Sequence, residues 1–384
     1  MSRRSGPNRV VLLTSSLAPS AGLARWSREL VRGLEMVTTS DELTIDVLVR
    51  YRLDVGLATV EQFGLRCTLH DLPDVGTSIT DRLRSVRRVG RLIASLDADV
   101  VHAPMGWLWL LGDRRFARPK VVATAHVEPS PDAFHVQDRL LARILTMRNR
   151  IRLVTNVPSL RLALDRAVGV PAGTSLCMPV ATDRTGVSFA DLGAPDLRAA
   201  LDVQADESIV MTLSRLVSVK RLDLVLEVIE KVKAANRPVR FVICGDGPEF
   251  GALLADAQRR DLEGWIHFLG HVGDPAPLLT EADIVLNTSD SEGGMPLALI
   301  EALLAGTPVV ATEAGGVVDL LEDPRDGRLV PRGNVEALFH ALCVALDEPV
   351  EREERAARAR GRFDLERMGR AHLALVRELV GDVT

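Results

Sequence analysis

Residues 283–312 read Asp283-Ile-Val-Leu-Asn-Thr-Ser-Asp-Ser-Glu-Gly-Gly-Met-Pro-Leu-Ala-Leu-Ile-Glu-Ala-Leu-Leu-Ala-Gly-Thr-Pro-Val-Val-Ala-Thr. An apolar run ends near Asn287, a glycine loop turns at Gly293 and Gly294, a helix opens near Met295 and Pro296, and a second strand follows Gly306. Such an order is a βα unit of a parallel sheet. Backbone amides left free at the helix start, with the helix dipole behind them, suit phosphate or sugar hydroxyls, and the glycines let a ligand approach closely. Glu301, five residues past Pro296, could accept two hydrogen bonds from a ribose diol; a solvated helix glutamate is the plain alternative.

The same alternation extends outward in both directions. Strands are expected at Arg9 to Thr14, Thr44 to Val49, Asp99 to His102, Lys120 to Thr124 and Arg152 to Thr155. Helical periods fill Leu23 to Val37, Thr80 to Leu96, Phe134 to Arg148 and Ser159 to Val168. Between Thr174 and Pro195 the pattern fades into Pro, Gly, Ser and Asp, which marks a linker. It resumes with strands at Ile209 to Leu213, Arg240 to Cys244, Ile266 to Leu269, Asp283 to Asn287 and Pro308 to Ala311. The segment from Val350 onward, rich in Arg, Glu, Ala and Leu, reads as one or two exposed helices. A chain of 384 residues divided in this way predicts an N-terminal domain over 1–180, a second over 181–350, and a helical tail over 351–384 that packs back on the first. Both domains read as doubly wound α/β sheets, whose ligands bind beyond the carboxyl ends of the strands.

Composition narrows the function. Hydrophobic residues make up 47% and charged residues 26%, enough apolar surface to build cores. Cys67, Cys177, Cys244 and Cys343 lie far apart without a Cys-x-x-Cys pair, so neither a disulfide framework nor a zinc site is expected, and a reducing cytoplasm suits the chain. No apolar run approaches the roughly 18 residues that span a bilayer. The net charge of −5 argues against a general nucleic-acid binder, yet residues 1–185 carry net +8 and residues 186–384 net −13. On the helix from Thr80 to Leu96, Arg84, Arg87, Arg88 and Arg91 share one face, and Leu83, Val86, Val89, Leu92 and Ile93 take much of the rest. That face is either a solvated charged surface over a packed one or a peripheral contact with anionic lipid.

Chemistry concentrates after the strands. In Leu213-Ser-Arg-Leu-Val-Ser-Val-Lys-Arg, Arg215 and Lys220 follow a strand and open a helix, where a guanidinium fork and an ammonium could hold a diphosphate. Two surface cations flanking a turn is the competing view. His126 closes Val121-Val-Ala-Thr-Ala-His at a strand end, with His102 as the alternative, and either imidazole could serve a sugar hydroxyl or a structural hydrogen bond. Asp97-Ala-Asp99 precedes a strand instead of following it, so no metal site is expected.

Together these residues resemble glycosyltransferase family 4, retaining enzymes of the GT-B fold. The likeness rests on Arg215 and Lys220, on Gly245-Asp246-Gly247-Pro248-Glu249, on Phe268-Leu269-Gly270-His271-Val272, and on the signature from Glu292 to Gly316 with Asp326 to Pro331 after it. It implies two Rossmann-like domains facing a cleft. It further implies that Arg215 and Lys220 grip the nucleotide diphosphate, that Gly22, Gly245, His271, Val272, Glu292, Gly293, Gly294, Met295, Pro296 and Glu301 line the donor, and that His126 reaches the donor sugar. His126, Arg215, Lys220 and Glu292 would then be catalytic. The implied reaction is metal-independent transfer of a hexose-type sugar from a UDP- or GDP-sugar to a hydroxyl of a lipid, polysaccharide or secondary metabolite. A sugar-nucleotide epimerase and a non-catalytic binder of nucleotide sugars are the alternatives. Three departures stand out: eight residues separate Glu292 from Glu301 where the family has seven, Pro179-Val-Ala-Thr-Asp183 replaces Pro-Asn-Gly-Val-Asp, and Ser20-Ala21-Gly22 keeps one glycine of a pair.

Overall fold

The structure, a computed structural model, describes residues 6–17, 22–51, 53–72, 79–111, 119–126, 128, 134–182, 197–348 and 351–381. It divides into two compact units, residues 1–181 with 364–384, and residues 182–363. Ser20, Ala21 and Asp183, quoted above, lie outside the described residues.

Unit 1 runs β1 (Asn8–Thr14), α1 (Gly22–Val37), β2 (Leu43–Val49), α2 (Leu53–Phe63), β3 (Thr68–Asp71), α3 (Ile79–Ser95), β4 (Val100–Pro104), a 3-10 turn (Met105–Leu111), β5 (Lys120–Ala125), α4 (Val136–Met147), β6 (Ile151–Thr155), α5 (Arg161–Val168) and β7 (Leu176–Cys177). Its sheet is ordered β3-β2-β1-β4-β5-β6-β7, with every pair parallel. All five residues of β4 are buried, because helices cover both faces of a central parallel strand. Chain order reverses between β1 and β4, the switch point at which doubly wound sheets leave a crevice.

Unit 2 runs α6 (Leu197–Ala200), β8 (Ser208–Leu213), α7 (Leu222–Ala234), β9 (Val239–Cys244), α8 (Phe250–Arg259), β10 (Ile266–Gly270), α9 (Ala276–Glu281), β11 (Ile284–Asn287), α10 (Leu297–Leu304), β12 (Val309–Thr312), α11 (Val317–Leu320), β13 (Gly327–Val330), α12 (Val335–Asp347) and α13 (Arg352–Arg362). The sheet is again all parallel, in the order β10-β9-β8-β11-β12-β13. Its switch point falls between β8 and β11, so the loops after these two strands border the crevice.

The last helix, α14 (Leu365–Val380), belongs to unit 1 and lies on α1. Two glycines allow the helices to touch: a Cβ on Gly369 would fall 1.8 Å from the carbonyl oxygen of Gly33, and one on Gly33 would fall 2.7 Å from that of Leu365. The close crossing buries Met368, His372, Leu375 and Val376 and brings an imidazole from the end of the chain into the N-terminal core.

Among the described residues, β3, β7 and β13, which occupy sheet edges, and the helices α2, α6 and α12 lie beyond the expected elements. On α3 the arginines at 84, 87, 88 and 91 are exposed and Val89 and Ile93 are buried, but Leu83 is 54% exposed and so stands outside the packed face. Among the described residues no helix is long and apolar enough to cross a membrane.

Candidate functional site

In unit 2 the chain leaves β8 in a loop laid directly on the turn after β9. Ser214 N–H donates to Cys244 O (3.1 Å), Leu216 N–H to Asp246 O (2.9 Å), and Glu249 N–H to Leu216 O (3.1 Å). Only glycine permits this contact. Gly245 has φ +152°, and a Cβ there would meet Ser214 O at 1.8 Å; at Gly247 it would meet Leu216 O at 2.3 Å. The Gly-Asp-Gly turn is thus the bed of the loop that presents Arg215. The Arg215 side chain is exposed and makes no hydrogen bond or ion pair among the described residues, and the neighbouring Ser214 Oγ is enclosed without a partner.

Lys220 ends a 3-10 turn, Ser218–Lys220, and places Nζ 2.5 Å from Glu292 Oε1. The same carboxylate oxygen accepts from Ser289 Oγ at 2.8 Å and Asn287 Nδ2 at 3.4 Å, so three donors fix Glu292, which is only 8% exposed. The loops carrying the two charges are joined by further bonds. Thr288 Oγ donates to the carbonyls of Lys220 and Arg221, both at 2.9 Å, and Asp290 N–H donates to Val219 O at 2.9 Å. Arg221 adopts the left-handed region (φ 49°) and binds Asp223 and Asp290, whose side chains raise its pKa.

Past Glu292, the partly exposed Gly293, Gly294, Met295 and Pro296 lead into α10, with Pro296 as its N-cap. Behind them stands Gly315, at φ +49°. A Cβ there would lie 1.8 Å from Glu292 O, and one on Gly316 would lie 2.5 Å from Gly294 O. This glycine pair shapes the cradle, and in the sequence it shows only as the end of the Glu292 to Gly316 signature. Glu301 sits on α10 at 0% exposure, wholly enclosed, and His271 (exposed) and Val272 (partly exposed) follow β10.

Unit 1 gathers a different set of groups. His126 directly follows β5, and its ring lies 4.5 Å from that of Trp26 on α1. His102, on β4, lies 5.3 Å from Trp26 and 5.9 Å from His372 of α14, and its Nε2 is 2.6 Å from Thr124 Oγ. His372 Nδ1–H donates to Met368 O at 3.0 Å, which leaves its Nε2 a bare acceptor. His372 Nε2, His126 Nε2 and Trp26 Nε1 are all enclosed without a partner. Burial drives His126 and His372 down to about 4 and His102 well below its ordinary value, with neighbouring imidazoles adding to the shift at His102, so all three rings are neutral at neutral pH. His372 carried no local sequence signal, since helix packing alone delivers it. Gly22 is the first residue of α1, exposed and with open space where a Cβ would stand.

Two parallel sheets of Rossmann type, with charged loops and glycine turns at the strand ends of the second, define the GT-B class of fold. The crystal structure of Anabaena HepE in complex with UDP and glucose superposes with a TM-score of 0.76 at 22% identity, covering 97% of this chain and all of that one. Sucrose-phosphate synthase from Thermosynechococcus elongatus gives 0.77 at 19% identity, covering 98% of this chain and 100% of its own. Residues 207–348, within unit 2, match the model of the family glycosyl transferases group 1. A curated relative is the poly(ribitol-phosphate) alpha-N-acetylglucosaminyltransferase of Staphylococcus aureus (strain COL), 31% identical over 155 residues, which are 40% of this chain and 31% of that protein. Another is the N-acetyl-alpha-D-glucosaminyl L-malate synthase of Bacillus anthracis, 28% identical over 157 residues, 41% of each chain. The matched stretches span less than half the length of either relative.

Proposed function

We propose that the chain is a retaining glycosyltransferase that moves a hexose-type sugar from a UDP- or GDP-sugar to an acceptor hydroxyl bound by unit 1. The observation that carries this reading is the unpaired, exposed Arg215 beside the fixed Lys220–Glu292 pair, on two loops stitched to glycine turns inside the matched segment. A cation free of internal partners at a switch point is available to an anionic ligand. The UDP and glucose in the HepE structure support a donor of this kind.

In the proposed reaction the bond from the anomeric carbon to the diphosphate oxygen breaks with its electron pair on the diphosphate. Arg215, Lys220 and the amides after Glu292 stabilise that negative charge. The acceptor oxygen bonds to the anomeric carbon on the face the diphosphate leaves, and its proton passes to the departing phosphate oxygen. Protein cations supply the charge, so the transfer runs without a bound metal. Glu301 is assigned the ribose hydroxyls, His271 and Val272 border the base, and Gly22 lets the chain approach the ligand. Neutral His126, through its unpartnered Nε2, accepts a hydroxyl of the transferred sugar. The enzyme works in the cytoplasm, and the basic face of α3 with exposed Leu83 offers a peripheral contact with anionic lipid.

The test is incubation with individual nucleotide sugars. Released nucleotide, stimulated by a hydroxyl acceptor, supports transfer; an isomerised donor points to epimerase chemistry; binding with neither product points to a non-catalytic homologue.

A further inference from the structure

Beyond the carboxyl ends of β2 and β4, unit 1 holds a pocket of about 520 Å³ that the donor chemistry leaves unused. The volume falls within the roughly 300–1,000 Å³ of small-molecule sites. Its wall includes Arg50 after β2, Arg82 on α3, Trp107 and Trp109 on the 3-10 turn after β4, and His135 and Asp138 at the start of α4.

The chemistry of that wall is specific. The Arg50 guanidinium lies 5.7 Å from the Trp107 ring centre, and that of Arg82 lies 5.9 Å from Trp109. Neither arginine forms a salt bridge among the described residues, and Arg50 Nε is enclosed without a hydrogen-bond acceptor. Asp138 is 0% exposed; its Oδ1 accepts the Trp109 backbone N–H at 2.8 Å, which anchors that aromatic ring, while Oδ2 has no partner. Burial raises the Asp138 pKa and nearby His135 opposes the shift. A donor N–H and a carboxylate oxygen left unmade each destabilise the free protein, so a ligand that satisfies both recovers that cost. Arginines held over indole rings explain the cation–π contacts without a ligand, but they leave both unmade atoms unexplained.

We propose that this pocket binds the acceptor, and that the acceptor is a sugar or polyol carrying an anionic group, phosphate or carboxylate. The inference rests on the transferase reading for the word acceptor, while the ligand class follows from the pocket alone. Trp107 and Trp109 take the apolar face of a pyranose or polyol, the Arg50 and Arg82 forks take the anion, and Asp138 Oδ2 accepts a ligand hydroxyl.

The test uses the full chain, with tryptophan fluorescence and calorimetry on four probes: glucose, glucose 6-phosphate, glucuronate and inorganic phosphate. Glucose 6-phosphate or glucuronate should bind at least about tenfold more tightly than glucose, and the stronger of the two identifies the anion. Arg82→Ala, an exposed position, should reduce that preference, with Arg50 still present, and leave glucose binding unchanged; Trp109→Phe should weaken every sugar probe. UDP uptake, measured in the same samples, should be the same in wild type and variants. Equal affinity for glucose and its charged forms, inorganic phosphate binding as tightly as glucose 6-phosphate, or no sugar uptake by a chain that binds UDP would each overturn the inference. A chain that takes up the charged sugars and not UDP would overturn the transferase reading instead and leave the ligand class standing.

Discussion

At the strand ends of unit 2 the Lys220–Glu292 pair and its loops are bonded internally, with Arg215 and Ser214 Oγ left unpartnered, whereas at those of unit 1 the enclosed groups themselves lack partners. Glu292 is held by Lys220, Ser289 and Asn287, and the supporting loops are bonded to one another. In unit 1, His126, His372, Trp26, Arg50 and Asp138 each keep an unused donor or acceptor. Dipoles and charges already fixed in place need not reorganise as charge develops, which suits the diphosphate of the proposed donor. Unmade hydrogen bonds destabilise the free protein and favour a ligand that brings its own hydroxyls, which suits the proposed binding of an acceptor there. One site is committed before binding; the other is completed by it.

The largest effect should come from breaking the committed side. Lys220→Ala should lower turnover by about 10²–10³-fold, the scale for removing one donor to a developing anion, with melting temperature little changed because Ser289 and Asn287 still hold Glu292. Turnover within threefold of wild type would end the role of the Lys220–Glu292 pair. Glu301→Gln, which keeps shape in an enclosed position, should raise KM for the donor more than it lowers kcat.

Next in size is the glycine bed. Gly315→Ala places a Cβ 1.8 Å from the Glu292 carbonyl at a positive φ, and should cost about 3 kcal/mol by strain and clash, read by urea unfolding. Gly22→Ala, in open space at the head of α1, is the matched control and should stay within about 0.5 kcal/mol. Equal effects would show that close approach at Gly315 is not what shapes the cradle.

The uncommitted side should respond to acid. His126 and His372 have pKa values of about 4 in the folded chain and ordinary values of 6.5, so between those limits the unfolded chain binds more protons. Stability is therefore undisturbed above pH 6.5 and lost as pH falls toward 4, by about 2 kcal/mol per imidazole at pH 5. Urea unfolding followed at pH 7.5, 6 and 5 checks the slope, and His372→Gln should reduce it by roughly a third, since His102 and His126 still take up protons on unfolding. A flat profile would mean that solvent reaches the rings.

What could be read ahead of the structure follows burial. Strands covered on both faces, such as β4 and β11, announce themselves as apolar runs, while β3 (Thr-Leu-His-Asp), β7 (two residues) and β13 (Gly-Arg-Leu-Val) occupy edges where half-exposed positions erase that signal. Arg215, Lys220 and Glu292 were legible because chemistry at a strand end is local in sequence. Their pairing was not, since 72 residues separate Lys220 from Glu292 and only the sheet order joins them. The gathering of Trp26, His102, His126 and His372 had still less trace, because the contact of α1 with α14 rests on Gly33 and Gly369, two residues with no side chain to advertise it.

The smallest expected effect compares two helix caps, one in each unit. Asp364 accepts the Arg367 N–H at 2.6 Å and starts α14; Asn334 accepts the Ala337 N–H at 3.0 Å and starts α12. Each replacement by Ala should cost about 1 kcal/mol through one orphaned amide. Only the first bears on the imidazoles. Loosening the entry to α14 admits water to His372 more often, so Asp364→Ala should also soften the acid response, while Asn334→Ala leaves the pH profile parallel to wild type. Hydrogen exchange of the α14 amides measures this directly: faster exchange in Asp364→Ala alone supports a cap that guards the enclosed rings, and equal exchange in both variants would confine the cap to helix stability.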